Sequence, residues 1–359
     1  MVVLGLFLTM KRALGNSQSF EAILRSTRVV SQMIAPTNDV HTIATHDGSF
    51  HCDEALAIGL LKCIPAYKDS PVIRTRNPDI LEQCNIVLDV GAKYEPANHR
   101  YDHHQREFAE VLEGYNMKLS SAGLIYKHFG KEAISAILKE SGFENSPALV
   151  DIFYAKLYTG FMEHIDAIDN GVAIADTPNK YHISTDLSSR VGRLNPGWND
   201  DQSSDATNAQ FVEAMCLTQG EFVAATVGLA TSWWPARTIV ESAIKARTEV
   251  HASGKIMVLD RQCPWKDHFF ELEPEGAGVL YCLYGDGGGS WRIQAVPVEP
   301  NSFTSRKGLP AAWRGIRNEA LDALTGIPGG IFIHASGFIG GHKTKEGALA
   351  MATKALELD

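Results

Sequence analysis

The sequence predicts an α/β protein in which a parallel-sheet N-terminal domain is followed by a smaller α+β C-terminal domain. From His41 the chain alternates β-branched runs with helical periodicity in the order βαβαβ, the signature of a parallel sheet. From Gly254 it changes to short strands and turns with only two helix candidates, around Trp313–Leu324 and Lys345–Leu356. A length of 359 residues suits two ordinary domains.

In chain order, HTIATH reads as a strand and CDEALAIGLLKCI as a helix, because its apolar residues fall at helical spacing. PVIRTR is a second strand, PDILEQC a short helix opened by Pro78, and NIVLDVG an apolar strand ending in Asp89 and Gly91. Two periodic helices follow, SSAGLIYKHFGKEAISAILKES with Ser120 or Ser121 as N-cap, and PALVDIFYAKLYTGFMEHIDAID. LNPGWNDDQSSDATN is a polar, turn-rich loop, and 209–249 is helical with a break at Trp233, Trp234 and Pro235. Strands are then expected at KIMVLD, GVLYCLY, WRIQAVPV and GIFIHAS. GDGGGS, 285–290, lacks the GK[ST] ending of a phosphate loop and reads as a hairpin turn. The boundaries expected are 1–38 for an extension, 39–249 for the metal-binding domain with its connecting helices, and 250–359 for the second domain.

Composition narrows the function. Hydrophobic residues at 45% and charged residues at 21% exclude a largely disordered chain. No apolar run approaches the ~20 residues that a membrane-spanning helix needs, which excludes an integral helical membrane protein. A net charge of −9 confines any nucleic-acid contact to a local patch and suits carboxylates gathered to hold cations. The six cysteines form no CxxC pair, so neither a disulfide framework nor a zinc ribbon is indicated, and a reducing compartment fits. Residues 1–38 set Lys11, Arg12, Arg25 and Arg28 against a single acid, Glu21. They read either as a mitochondrial transit peptide or as a disordered extension with Met10 as a second start, outside the fold in both cases.

Four groups of acids and histidines stand where a parallel sheet presents chemistry, at strand ends. THDGSFHCDE supplies His46, Asp47, His51, Asp53 and Glu54; NIVLDVG supplies Asp89; HRYDHHQ supplies Asp102, His103 and His104; HIDAIDNG supplies His164, Asp166 and Asp169. Singly, each has an ordinary reading as a cap, a turn residue or a packed histidine. Together they offer the roughly six to eight donors that two divalent cations require, with one carboxylate bridging. Hard divalent cations take oxygen ligands, and manganese also accepts imidazole nitrogen. Asp89 carries the most weight, because a charge that ends a buried run is costly unless paired or metal-bound.

Asp102-His103-His104 after the Asp89 strand, behind a His/Asp loop and ahead of a helix-end aspartate, resembles the DHH phosphoesterase superfamily. THDGSFHCDEALA, RTRNPDILEQCNIVLDVG, RYDHHQ, KLSSAGLIY, RVGRLNP, WRIQAVP and FIHASGFIGGHKTKEGALAM are similar to the melanocyte-proliferating-gene exonuclease family, from about residue 41 to the C-terminus. The resemblance implies a DHH-type metal-binding domain with a substrate-binding domain behind it, and a two-manganese 3′→5′ exonuclease on single-stranded RNA. It implies one cation on His46, His51 and Asp89, and another on Asp53, Asp89, His103 and either Asp166 or Asp169. Asp89 would bridge them, and His104 would face the substrate as a proton or hydrogen-bond donor. Superfamily members commonly carry aspartate where His51 stands, so this chain has one negative charge fewer there. Two cations acidify a water for in-line attack and neutralise the nonbridging oxygens, so no side-chain nucleophile is expected. The likeness also allows residence in the nucleus, and cytoplasm if the N-terminal segment is no signal.

His334, Ser336, Gly340, Gly341 and His342 are expected in a turn before the last helix, where glycines admit phosphate to backbone N–H groups. This resembles the superfamily's Gly-Gly-His substrate loop, with Lys345 and Glu346 departing from the small residues usual before its final glycine, here Gly347. Arg292, Arg306, Lys307, Arg314 and Arg317, interleaved with Trp291 and Trp313, suit single-stranded nucleic acid. Two alternatives stand beside the RNA exonuclease: a hydrolase of a small phosphoanhydride or of a cyclic or short oligonucleotide, and a non-catalytic RNA-binding scaffold.

Overall fold

The computed structural model describes Arg25, residues 27–31 and residues 41–358. The chain divides into two compact units between Ala230 and Thr231.

The first unit is built on a six-stranded sheet, β1 (Val29–Val30), β2 (Ile43–Thr45), β3 (Val72–Arg74), β4 (Ile86–Leu88), β5 (Tyr94–Glu95) and β6 (Arg100–Tyr101), in the order β1-β3-β2-β4-β6-β5. All neighbours pair in parallel except β5 with β6. Successive strand side chains face opposite ways. Ala44, Ile73 and Val87 accordingly share one apolar cluster with Leu81 and Cys84, from α2 (Pro78–Leu81) and the turn after it. Their neighbours Ile43, Val72, Ile86 and Leu88, also buried, point to the other face. There lies α1 (Cys52–Cys63), all twelve residues of which are buried. It packs against α3 (Ser121–Glu140) and α7 (Ser204–Gly228). At Gly59 a Cβ would come within 3.0 Å of Gln219 Cβ, so α1 and α7 meet across a glycine, and Gln219 Nε2 donates to the Gly59 carbonyl at 2.9 Å.

The second long helical stretch is α4 (Pro147–Leu157), a π-turn at Tyr158–Met162, and α5 (Glu163–Asp169). The short α6 (Leu187–Gly192) precedes the polar loop and α7, which starts from a Ser203 N-cap. Ser120 caps α3.

Residues 1–24, 26 and 32–40 lie outside the described residues, and with them most of the expected leader segment. Val29–Val30 is described, and it corrects the expectation that residues 1–38 stand apart from the fold. It pairs in parallel with Val72–Ile73 as an edge strand, and Arg25 contacts Glu213 at 2.5 Å.

The second unit holds a five-stranded sheet in the order β10-β11-β9-β8-β7, from β7 (Ile256–Val258), β8 (Tyr281–Gly285), β9 (Trp291–Ala295), β10 (Gly330–Ile333) and β11 (Ile339–His342). Only β7 and β8 are parallel. Tyr281 and Leu283 pack towards α11 (Lys345–Glu357), whereas Cys282 and Tyr284 pack towards α8 (Ala236–Val250) and α9 (Lys266–Leu272). Burial on both faces explains why this strand is continuously apolar. A short α10 (Asn318–Thr325) precedes β10. The unit begins earlier than the expected residue 250 because Val240, Ala243 and Ile244 of α8 bury themselves against Met257, Leu259 and Phe269. Residues 286–290 form the turn between β8 and β9. Among the described residues no helix is long and apolar enough to cross a membrane.

Candidate metal centre

Three adjacent parallel strands place the chemistry. Ala44 pairs with Val87, and Leu88 with Tyr101. Two residues past the first pair and one past the second, His46, Asp89 and Asp102 emerge side by side from β2, β4 and β6. The Asp89 N–H still donates to the Tyr101 carbonyl at 3.2 Å, but its φ of 58° leaves the β region and ends the strand. Aspartate is among the few residues that visit this left-handed conformation, and such strain gathers at functional sites.

Asp89 is the hub. Its Oδ2 lies 3.3 Å from His46 Nε2, and its Oδ1 lies 3.5 Å from His103 Nε2 and accepts from Ser121 Oγ at 3.0 Å. His103 Nε2 is also 3.1 Å from Asp169 Oδ2. Three sets of ligand atoms converge within 4.8 Å: His46, His51, Glu54 and Asp89; Asp89, His103 and His104; Asp53, His103 and Asp169. Phe50, His51, Cys52, Asp53, Asp89, His104 and Asp169 line a cavity of about 320 Å³, closed by Ile165, Ile168, Ser188 and Gly192.

The electrostatics are those of a site short of positive charge. Burial, then the neighbouring carboxylates of Asp89 and Asp169, push the Asp53 carboxyl well above its usual range. Burial likewise raises Asp169. For Asp89 burial works upward too, but hydrogen bonding to His103 and His46 prevails and holds it below the usual range. Burial would lower His46, yet Asp89 and Glu54 push it up to about 10. Burial, helped by the carboxylates of Glu54, Asp169 and Asp186, drives the Cys52 thiol, at the cavity wall, up to about 12. Both Asp53 carboxylate oxygens, Glu54 Oε2 and His103 Nδ1 are buried with no hydrogen-bond partner. Such groups are rare in folded proteins, and an ionised carboxylate left so is costly. Mixed oxygen and imidazole donors of this kind could hold divalent cations, so the residues present fit the metals that the sequence implies.

The candidates from sequence separate clearly. His46, His51, Asp53, Asp89, His103 and Asp169 converge, and His104 stands at the cavity. Asp166 does not join them: its Oδ1 accepts from the Ser120 N–H at 2.9 Å and the Ser120 hydroxyl at 2.8 Å, anchoring the start of α3. The contact is so close that a Cβ on Gly123 would fall 2.3 Å from that oxygen. Burial raises Asp166 to about 7 against the pull of Ser120. Asp102 is likewise outside the ligand sets. It accepts from the Ala92 N–H at 2.6 Å, the His104 N–H at 3.0 Å and His104 Nδ1 at 2.7 Å, so it orients His104. His164 is exposed.

Three participants were given no specific role by sequence reasoning, although Glu54 stood among the acids it gathered. Glu54 is fully buried, and its Oε1 lies 3.1 Å from His46 Nε2; its place three residues after His51, the spacing of a capping box, was the available signal. Arg74 and Asn195 clamp the loop carrying His46 and His51. Buried Arg74 donates to the Gly48 carbonyl at 2.7 Å and lies over the Phe50 and Phe211 rings. Asn195 accepts from the Phe50 N–H at 2.9 Å and donates to its carbonyl at 2.8 Å. These join residues far apart in sequence and leave no local pattern.

In the second unit the expected loop is corrected. Gly340, Gly341 and His342 lie in β11, between β10 and β9, instead of in a turn. Packing requires the glycines: a Cβ at Gly340 would stand 2.4 Å from Ile333 Cδ1, and one at Gly341 2.8 Å from Phe332 Cε1. His342 is buried, with the Thr344 N–H donating to Nδ1 at 3.0 Å and Nε2 donating to the Pro328 carbonyl at 3.1 Å. His334 and Ser336 do occupy a turn, between β10 and β11, bonded to each other at 2.9 Å. Arg292 pairs with Asp286 at 2.6 Å, Arg306 with Glu273 at 2.7 Å, and Arg314 donates to the Leu309 carbonyl at 2.9 Å.

No solved structure matches the chain. It is 46% identical over 350 residues to the MYG1 exonuclease of Bos taurus, covering 94% of this chain and 89% of that protein. To the MYG1 exonuclease of Homo sapiens it is 46% identical over 347 residues, 94% and 90% of the two chains. The MYG1 protein of Dictyostelium discoideum is 45% identical over 321 residues, 88% of this chain and 96% of that one. The model of the uncharacterised protein family UPF0160 matches residues 42–356, which takes in both units and every residue of the metal centre, and the chain belongs to that family.

Proposed function

We propose that the chain is a two-cation phosphodiesterase that removes nucleotides from the 3′ end of single-stranded RNA. The observation that carries the metal chemistry is Asp53, buried with both oxygens unpartnered beside Asp89, His103 and Asp169. His46, His51 and Asp89 would hold one cation, and Asp53, Asp89, His103 and Asp169 the other, with manganese suited to both. When bound, the cations supply an activated water and neutralise charge on the phosphoryl group. The relatives named exonucleases support a nucleic-acid substrate.

The chain's own residues divide the remaining work. His104 donates Nδ1–H to Asp102, which leaves Nε2 for the cavity that His104 lines. That bond, ahead of opposing burial, raises the His104 pKa and so favours the form that can donate to the leaving oxygen. Arg74 and Asn195 fix the loop that carries His46 and His51.

A second reading, hydrolysis of a dinucleotide or other small phosphoester, draws support from the second unit. There Arg292, Arg306 and Arg314 are already engaged by protein partners, which weakens the case for a long strand.

Digestion of 5′-labelled single-stranded RNA, with and without manganese, decides between them. Stepwise shortening that needs manganese and disappears in Asp89→Ala and Asp102→Ala is expected. Intact RNA alongside metal-dependent cleavage of a dinucleotide would move the assignment to the second reading.

A further inference from the structure

Glu54 stands on the first turn of α1, fully buried, and sequence assigns it no ligand role. Its Oε1 accepts from the His51 N–H at 2.8 Å, as a helix cap requires. The cap needs one oxygen. The other, Oε2, is buried with no partner, and a packing or capping role leaves that oxygen unexplained.

His46 gives a second, independent sign. Its Nδ1 lies 2.9 Å from the Asp47 carbonyl, which can only accept, so Nδ1 carries a hydrogen. Nε2 then faces two carboxylates at once, Glu54 Oε1 at 3.1 Å and Asp89 Oδ2 at 3.3 Å. A metal-ligating imidazole turns its other N–H to a carbonyl or carboxylate in this way, leaving the free nitrogen for the cation. His46, His51, Glu54 and Asp89 all offer a ligand atom within one 4.8 Å cluster.

We propose that Glu54 is a direct ligand of the cation that His46, His51 and Asp89 hold, giving that site a carboxylate besides the shared Asp89. This rests on the two-cation reading above.

Glu54→Gln tests it, because the amide oxygen keeps the cap and the shape while the charge is lost. Manganese binding to the full chain would be followed by calorimetry and by the electron paramagnetic resonance signal of free manganese, alongside melting of the metal-free protein. Wild type should take up two cations. In Glu54→Gln one site should weaken by at least about tenfold, while the metal-free protein melts no lower than wild type. Both sites remaining within about twofold of wild type would overturn the proposal and leave the two-cation reading standing. Wild type that binds no manganese would overturn both. Should Glu54→Gln melt lower without metal, Glu54→Asp keeps the charge but withdraws it by one methylene: weaker manganese binding sustains the assignment, and unchanged binding ends it.

Discussion

Beside the ends of β2 and β4, at the start of α1, carboxylates are buried with oxygens that lack partners; around β9 and β11, basic side chains are more exposed and have partners. Asp53 keeps two oxygens unsatisfied, whereas Arg292 and Arg306 each close on a carboxylate and Arg314 on a carbonyl. In sequence the two regions look equally functional, one rich in acids and histidines, the other in arginines and tryptophans. The difference lies in what the fold leaves undone. A buried charge without a partner persists only where something outside the chain completes it, whereas a surface ion pair is worth little and asks for nothing more.

The largest effect should come from the residues closest to the chemistry. If Asp102 works by orienting His104, then His104→Ala and Asp102→Asn should each lower kcat by about 10²–10⁴-fold, the range for a positioned general acid. The double variant should lose no more than the worse single one, because the two act as a unit. The manganese affinity of Asp102→Asn should hardly change, since Asp102 belongs to none of the ligand sets. Additive losses in the double variant would separate the two residues, and a collapse of manganese binding would return Asp102 to the metal.

An intermediate effect concerns pH. Burial raises Asp53 and Asp169, so the metal-free fold holds protons there that the unfolded chain releases. Their contribution to stability is present at low pH and is lost as pH rises through the folded values. Cations need the ionised carboxylates, so their binding displaces these protons and strengthens with pH. The rise in melting temperature on adding manganese to the chelator-treated protein should therefore be larger at pH 8.5 than at pH 6. At a cation concentration a hundred times the dissociation constant, one site adds about 2.7 kcal/mol. A shift that is equal or smaller at the higher pH would mean that these carboxylates do not bind the metal.

The parallel sheet and its strand ends were legible because three short apolar runs, ending at Thr45, Arg74 and Leu88, are buried on both faces and so stand out from their surroundings. The strand that carries Asp102 was not, since Arg100–Tyr101 is two residues long and takes its identity from pairing with Val87 and Leu88. Asp166 and Asp169 could not be told apart by spacing. Only the approach of α3, through Gly123, gives one of them to Ser120 and frees the other for His103. The glycines before the last helix misled for a related reason. A glycine pair suits a phosphate loop, but at Gly340 and Gly341 the missing side chains make room for Ile333 and Phe332. Composition cannot distinguish space left for a ligand from space left for a neighbour.

The smallest effect tests the other side of the comparison. Arg292 lies 2.6 Å from Asp286 and over the Phe332 ring, so its charge and its flat face are both in use. An incoming phosphate would have to compete with a carboxylate already in place, whose pKa is lowered by the Gly288 N–H first, then by the Ser290 N–H and by Arg292. Arg292→Gln should accordingly change KM for single-stranded RNA by less than about fivefold, about what a partly exposed ion pair contributes. Asp286→Asn sharpens the outcome: it releases Arg292, and if the arginine were merely held in reserve for substrate, KM should fall. A large rise in KM for Arg292→Gln, or a clear fall for Asp286→Asn, would show that an ion pair can mask a binding residue. The rule that separates the two regions would then apply to buried charges alone.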